Sequence, residues 1–334
     1  MEKRNQNPVV NTLNHMSAIT PDLRYTGGDF VKWQEDAGKK LMELLGISKP
    51  EKCDDDLLIE YDKETDNWRE IRFTFQSEKG YYIPGYFLIP KGADKPLPTV
   101  ICLQGHTSGM HISIGRPIYA CDPEDIAGGD RDFAVSVIKR GMCALVIEQR
   151  GMGECGGDKE NPTCHVHTMA NLLIGRTTIG ERVWDISRAI DVMIKNFPQA
   201  DKDNIICLGN SGGGTATFYA ACIDKRIKTA IPSCCFASYD DSIAAMHHCT
   251  CNFIPGIRNH FDMGDLGGLI APRNLIIVSG RNDKIFPVES AKEQYKITES
   301  LYVHTNGICR HIIGDEGHRF YCEAAWRAYD EIAK

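Results

Sequence analysis

The chain has 334 residues, 42% hydrophobic and 25% charged, an ordinary globular composition with length for one large α/β domain and an N-terminal extension. A formal net charge of −7, with no basic block and no basic-aromatic interleaving, argues against nucleic acid and anionic membrane as partners. No apolar run is long enough to span a bilayer.

The polar start Met1-Glu2-Lys3-Arg4-Asn5-Gln6-Asn7 leads into no apolar signal core. Several of the 14 cysteines, among them Cys102, Cys143 and Cys207, sit in apolar runs as small hydrophobes. Together these features fit a reducing cytoplasm better than a secreted disulfide framework. Residues 1–65 read as an N-terminal helical extension, with Phe30, Trp33, Leu41, Leu44 and Leu45 spaced among charges between Asn11 and Gly46, packed as a cap on the main domain. Glu70–Phe75 alternates polar and apolar residues and Tyr81–Pro90 is also strand-like, which predicts an antiparallel hairpin at a sheet edge.

From there the pattern becomes apolar strand, helix, apolar strand. Thr99–Leu103, Cys143–Ile147, Ile205–Leu208, Thr229–Ile231, Asn274–Val278 and Ile308–Ile313 read as strands. Arg131–Arg140, Ile179–Phe197, a stretch ending at Cys222, Pro287–Tyr302 and Phe320–Ile332 read as helices. That alternation predicts α/β architecture, a mainly parallel, doubly wound sheet in one domain over 1–334, with the catalytic core in 66–334. Ser238–Leu269 lacks a clear period and is read as a segment covering the site.

The stretch around which the chemistry is organised is Gly209-Asn210-Ser211-Gly212-Gly213. It has the G-x-S-x-G form in which a sharp strand-to-helix turn exposes a serine oxygen. The amides of the following helix would stabilise an oxyanion beside Ser211. A serine needs a base, and the base an acid to fix its tautomer. Asp283 follows one buried strand and His318 follows the last, so both are expected on the rim of strand carboxyl ends that carries Ser211. Asp315 and Glu316 are rival acids, and Asp283 and His318 also admit plain readings as a turn residue and a helix-start residue. Gly212 N–H is one expected oxyanion donor, and the second is expected from the loop Gln104-Gly105-His106-Thr107-Ser108-Gly109.

The order Ser211, Asp283, His318 resembles that of the α/β-hydrolases. Arg150-Gly151-Met152-Gly153-Glu154, Arg182–Ile190, Asp262–Leu266, Ala271-Pro272-Arg273 and Gly317–Tyr321 make the resemblance narrower. With these, the stretch from Thr99 to the end resembles the dienelactone-hydrolase-like group and its bacterial acetyl xylan esterase-like branch. The resemblance implies that the second oxyanion donor is the backbone of His106. Gln104 departs from the histidine that relatives often carry.

Arg150–Glu154 also admits a phosphate cradle, but an ion pair of Arg150 with a carboxylate such as Asp185, with Trp184 as packing, is the favoured reading. His247-His248-Cys249-Thr250-Cys251, with Cys234-Cys235 upstream, is the best argument in the chain for zinc. Its spacing is tighter than the usual paired ligands, so Cys249 and Cys251 are read as small apolar residues of a packed wall and no metal is expected. The expectation is a cofactor-free serine esterase acting on small acylated substrates, above all acetylated sugars. Lactone or peptide hydrolysis by the same three residues, a silent binding protein, and metal-dependent hydrolysis stand as alternatives. Oligomeric state is left open.

Overall fold

The run Thr99-Val100-Ile101-Cys102-Leu103 is buried on both faces, as a continuous apolar stretch requires of a central strand. The computed structural model describes residues 6–48 and 50–332. In chain order its elements are α1 (Pro8–Ser17), α2 (Phe30–Leu45), β1 (Leu58–Glu64), β2 (Trp68–Glu78), β3 (Tyr81–Pro90), β4 (Leu97–Leu103), α3 (Asp122–Gly129), α4 (Phe133–Lys139), β5 (Cys143–Ile147), α5 (Cys164–Leu173), α6 (Thr178–Asn196) and β6 (Ala200–Asn210). They continue with α7 (Gly212–Ile223), β7 (Ile227–Ser233), α8 (Ile257–His260), α9 (Met263–Gly267), β8 (Asn274–Gly280), α10 (Val288–Tyr302), β9 (Cys309–Gly314) and α11 (Cys322–Ile332).

The strands join one sheet in the order β1-β2-β3-β5-β4-β6-β7-β8-β9. From β5 to β9 neighbours are parallel, whereas β1, β2 and β3 are antiparallel and β3 pairs antiparallel with β5. Side-chain alternation divides the core. Ile101, Leu103, Ile205, Cys207, Leu275 and Ile277 face a layer that includes Ala37 and Leu41 of α2, Ile186 and Ile190 of α6 and Phe218 of α7. Val100, Cys102, Ile206, Leu208, Ile276 and Val278 face Phe133 and Val137 of α4 and Trp326 of α11. Each of the fully buried Val, Leu, Ile and Phe side chains among them contributes about 1.5–3 kcal/mol relative to exposure, so the central strands are fixed in register from both sides.

Two expectations change. The N-terminal stretch is two helices rather than one: α2 is capped by the Asp29 side chain on Lys32 N–H and stopped by Gly46 at φ 72°, and residues 18–29 between the helices are irregular. The hairpin of β2 and β3 is not the edge, because β1 pairs outside it. β1 is exposed along almost its whole length, and its charged sequence Leu-Ile-Glu-Tyr-Asp-Lys-Glu suits an edge that must not recruit another strand. The helices α3 and α5 were also unforeseen. On α5, Val166 is 79% and Leu173 88% exposed, so its apolar residues do not mark a buried face. None of the described helices is long and apolar enough to cross a membrane.

The parallel register puts the carboxyl ends of β4 (Leu103), β6 (Asn210), β8 (Gly280) and β9 (Gly314) on one rim. Leu103 pairs with Gly209, Asn210 with Ser233 and Gly280 with Gly314.

Candidate active site

Ser211 stands between β6 and α7 with φ 56° and ψ −122°, a backbone conformation that is strained for a residue with a Cβ. Its N–H donates to Ser233 O at 2.8 Å. The turn is so sharp that a Cβ on Gly209 would lie 2.5 Å from Gly213 C and O, and one on Gly213 would lie 2.1 Å from Leu103 O. Side chains at those positions would force the elbow open, which accounts for glycine two residues either side of the serine.

Asp283 is held after β8 by two backbone donors: its Oδ1 accepts from Ile285 N–H at 2.8 Å and Phe286 N–H at 3.1 Å. Its Oδ2 lies 2.8 Å from His318 Nδ1. Burial pushes the Asp283 carboxyl up, but the His318 contact and charge and the two amides outweigh it and hold the group below its ordinary value. An ionised carboxylate only accepts, so Nδ1 carries the proton and Nε2 is left as the basic nitrogen. Phe286 stacks along the imidazole, with ring centroids 6.2 Å apart.

Ser211 and His318 line one cleft of about 300 Å³ together with Gly105, His106, Arg131, Met246, His247, His248, Cys249 and Ile285. Four of these, from Met246 to Cys249, come from the irregular stretch between β7 and β8. Ser211 Oγ and His318 Nε2 open on this cleft without a hydrogen bond to each other. The rival acids point elsewhere: Asp315 pairs with Arg281 at 3.2 Å and its side chain is 91% exposed, and Glu316 pairs with Arg319 at 2.9 Å.

The loop after β4 presses on the elbow. A Cβ on Gly105 would lie 2.9 Å from Ser211 Cβ, and one on Gly212 would lie 2.8 Å from His106 Nδ1. Neither His106 N–H nor Gly212 N–H has a hydrogen-bond partner among the described residues. Gln104 reaches away from the cleft, its Nε2 donating to Arg131 O at 2.7 Å and Ser113 Oγ at 2.8 Å. A second cluster of these residue types, Ser108, His111 and Asp122, is buried outside the cleft. There His111 turns the same Nε2 to Ser108 Oγ at 3.2 Å and Asp122 Oδ2 at 2.9 Å. One nitrogen facing both partners gives no relay from acid through base to hydroxyl.

Arg150 pairs with Asp185 at 2.7 Å, as the favoured reading expected, and also with Glu78 at 2.6 Å and Glu181 at 3.0 Å. Trp184 donates to Ser77 O at 3.0 Å. The neighbouring glycines enclose a carboxyl group that belongs to the protein. A Cβ on Gly153 would collide with Glu148 Oε2, and that oxygen accepts from Met110 N–H at 3.0 Å and Glu154 N–H at 3.3 Å. Burial pushes the Glu148 carboxyl up to about 7 against these donors. Sequence reasoning missed it because one glutamate at the end of an apolar run carries no pattern.

The histidine and cysteine stretch divides differently from its order in the sequence. Cys249 and Cys251 turn to His106 and to Cys164, the first residue of α5, and the four ligating atoms lie within 4.8 Å of one another. His248 Nδ1 instead meets Asn252 Nδ2 at 3.0 Å, Cys234 donates to Arg319 O at 3.2 Å, and Cys235 packs with Ala237 and Phe286. The wall of small apolar thiols is therefore corrected: Cys251 Sγ lies 3.2 Å from His106 Nε2 and accepts from Arg182 Nη1 at 3.3 Å, polar company that an apolar wall would not supply.

The sequence and the fold are similar to those of known proteins. A Bacillus subtilis (strain 168) protein named "Putative hydrolase YtaP" is 26% identical over 226 residues, 66% of this chain and 71% of that protein. The fold is similar to that of a "putative acetyl xylan esterase" of Bacteroides fragilis NCTC 9343, with TM-score 0.79 and 16% identity over 99% of this chain and 96% of the other. It is also similar to that of a glucuronoyl esterase of Solibacter usitatus, with TM-score 0.64 and 14% identity over 95% and 98%. The wound sheet with its strand-to-helix elbow is the α/β-hydrolase fold, and since the Abhydrolase family model matches residues 7–311, the chain belongs to the Abhydrolase family.

Proposed function

We propose that the protein is a serine esterase that removes small acyl groups, acetyl above all, from carbohydrate esters. The observation that carries this reading is the His318 imidazole, tied by Nδ1 to Asp283 at 2.8 Å and opening on the same cleft as Ser211. In this reading Ser211 Oγ attacks the ester carbonyl while His318 Nε2 takes its proton. The amides of Gly212 and His106 receive the oxyanion; losing one such donor typically costs about a hundredfold to a thousandfold. Collapse of the tetrahedral intermediate breaks the bond to the alcohol, which leaves with the proton from His318. Water, deprotonated by the same nitrogen, then attacks the acyl-serine and releases the carboxylic acid.

A cleft of about 300 Å³ is at the small end for ligand sites, which suits a short acyl group. The names of the fold neighbours, an acetyl xylan esterase and a glucuronoyl esterase, support a carbohydrate on the alcohol or acid side. Replacing Ser211 by alanine should abolish turnover of p-nitrophenyl acetate with the thermal melt unchanged, and a fluorophosphonate probe should label Ser211 in the wild type. Near-wild-type turnover by Ser211→Ala would reject the assignment. A screen of acyl-chain length, then of acetylated xylo-oligosaccharides, tests the substrate class.

A further inference from the structure

Arg182 on α6 is 1% exposed and has no carboxylate partner among the described residues. Its guanidinium donates to Arg150 O at 2.6 and 3.2 Å, to Cys251 Sγ at 3.3 Å and to Cys164 Sγ at 3.4 Å. A buried cation needs a counter-charge close by, and the sulfurs are the groups in contact that can supply it.

Those two sulfurs belong to the set His106, Cys164, Cys249 and Cys251, whose ligating atoms all lie within 4.8 Å of one another. We propose that these four residues hold one zinc ion in a closed, tetrahedral, structural site. Zn–S bonds of about 2.3 Å would set the sulfurs about 3.8 Å apart, inside the 4.8 Å that bounds the separations of the four ligating atoms. Three soft thiolates and one imidazole nitrogen suit zinc and do not suit magnesium or calcium, which take oxygen donors. Four protein ligands leave no open position for water, so the ion takes no part in the hydrolytic step. Zn²⁺ with three thiolates carries one net negative charge, and the Arg182 guanidinium brings the buried cluster to neutrality. Binding releases the thiol protons to solvent.

The ligands come from three separate segments: the loop after β4, the start of α5, and the stretch that begins with Met246 on the cleft wall. The ion would tie all three together and fix the loop whose Gly105 packs against Ser211. The other close set, Cys234, Asp283 and His318, belongs to the site already described. The metal proposal stands on the donor set and Arg182 alone, so it survives or fails independently of the esterase reading.

The test is metal analysis of the full chain, purified under reducing conditions without added metal. The expected result is one equivalent of zinc. Replacing it with cobalt(II) should give thiolate-to-cobalt charge-transfer absorption and the strong visible bands of tetrahedral cobalt. Cys164→Ser and Cys251→Ser should lose most of the bound metal, whereas Cys53→Ser, outside the set, should retain it. The cobalt spectrum of the wild type decides the matter even where a variant fails to fold. The proposal is overturned if the reduced protein is metal-free and takes up neither ion on titration, if another metal is bound in place of zinc, or if a disulfide joins two of the three cysteines in freshly isolated protein.

Discussion

His318 Nδ1 and Asp283 Oδ2 are 2.8 Å apart, and the loops that carry them are joined by backbone bonds from Arg281 N–H to Gly314 O and Asn282 N–H to Glu316 O, each 2.8 Å. The acid and the base are thus fixed to each other through main chain as well as side chain. A Cβ on Gly280 would lie 1.9 Å from Gly317 O, which shows how closely the two loops approach. Orientation of the imidazole is therefore a property of paired strand ends rather than of one side-chain contact.

That arrangement separates the role of charge from the role of position. In Asp283→Asn, the carbonyl oxygen can still accept from Ile285 and Phe286 N–H, which turns the amide nitrogen toward His318 Nδ1. The amide then favours the imidazole tautomer with its proton on Nε2, the wrong nitrogen for taking a proton from Ser211. Turnover of p-nitrophenyl acetate should fall about 10⁴-fold with the melting temperature little changed. A loss of only a few-fold, with the fold intact, would show that Asp283 does not set the tautomer.

Much of this rim was legible because parallel strands place every carboxyl end on one side. Ser211 follows directly on the buried end of β6, Asp283 lies just beyond the buried β8, and His318 just beyond the half-buried, apolar end of β9, so the strand ends bring the three together. β1 was illegible for the opposite reason: an exposed, charged edge strand has no apolar alternation to read. The cysteine set was illegible in another way. Its ligands assemble from three segments that only the fold brings together, and the nearest pair in sequence, Cys249 and Cys251, is directed by the short 3₁₀ turn at Thr250–Asn252. Arg182 lay inside a motif that carried the family resemblance, but its partners are sulfurs that sequence could not assign.

Arg150 gives a prediction about stability. It is 5% exposed and contacts Glu78, Glu181 and Asp185, with its guanidinium also 4.2 Å from the Tyr81 ring centroid. Arg176 covers Glu78 and Glu181 as well, but Asp185 has no other cation among the described residues. Arg150→Met leaves that buried carboxylate unpaired and should cost about 3–5 kcal/mol in urea unfolding. Adding Asp185→Leu removes the orphaned charge, so the double variant should lose less than the two singles together. Strict additivity would contradict a direct pair.

Glu148 gives a prediction about pH, and its sign is the reverse of that for a paired carboxylate. Burial pushes its carboxyl from 4.5 up to about 7, with the Met110, Gln149 and Glu154 amides opposing but not cancelling the shift. Between those two values the folded chain holds a proton that the unfolded chain has released, so stability falls as pH rises. The contribution of neutral Glu148 is fully present below about pH 4.5 and is lost by about pH 7, an interval worth on the order of 3 kcal/mol for a group this buried. Glu148→Gln keeps an acceptor for Met110 and Glu154 N–H but does not ionise. Urea midpoints measured for both proteins across this interval should therefore show the wild type losing ground to the variant as pH rises. Parallel curves would mean that Glu148 does not titrate there, and that the loops at Gly109 and Gly153 enclose a group whose charge state is the same in the folded and unfolded chains.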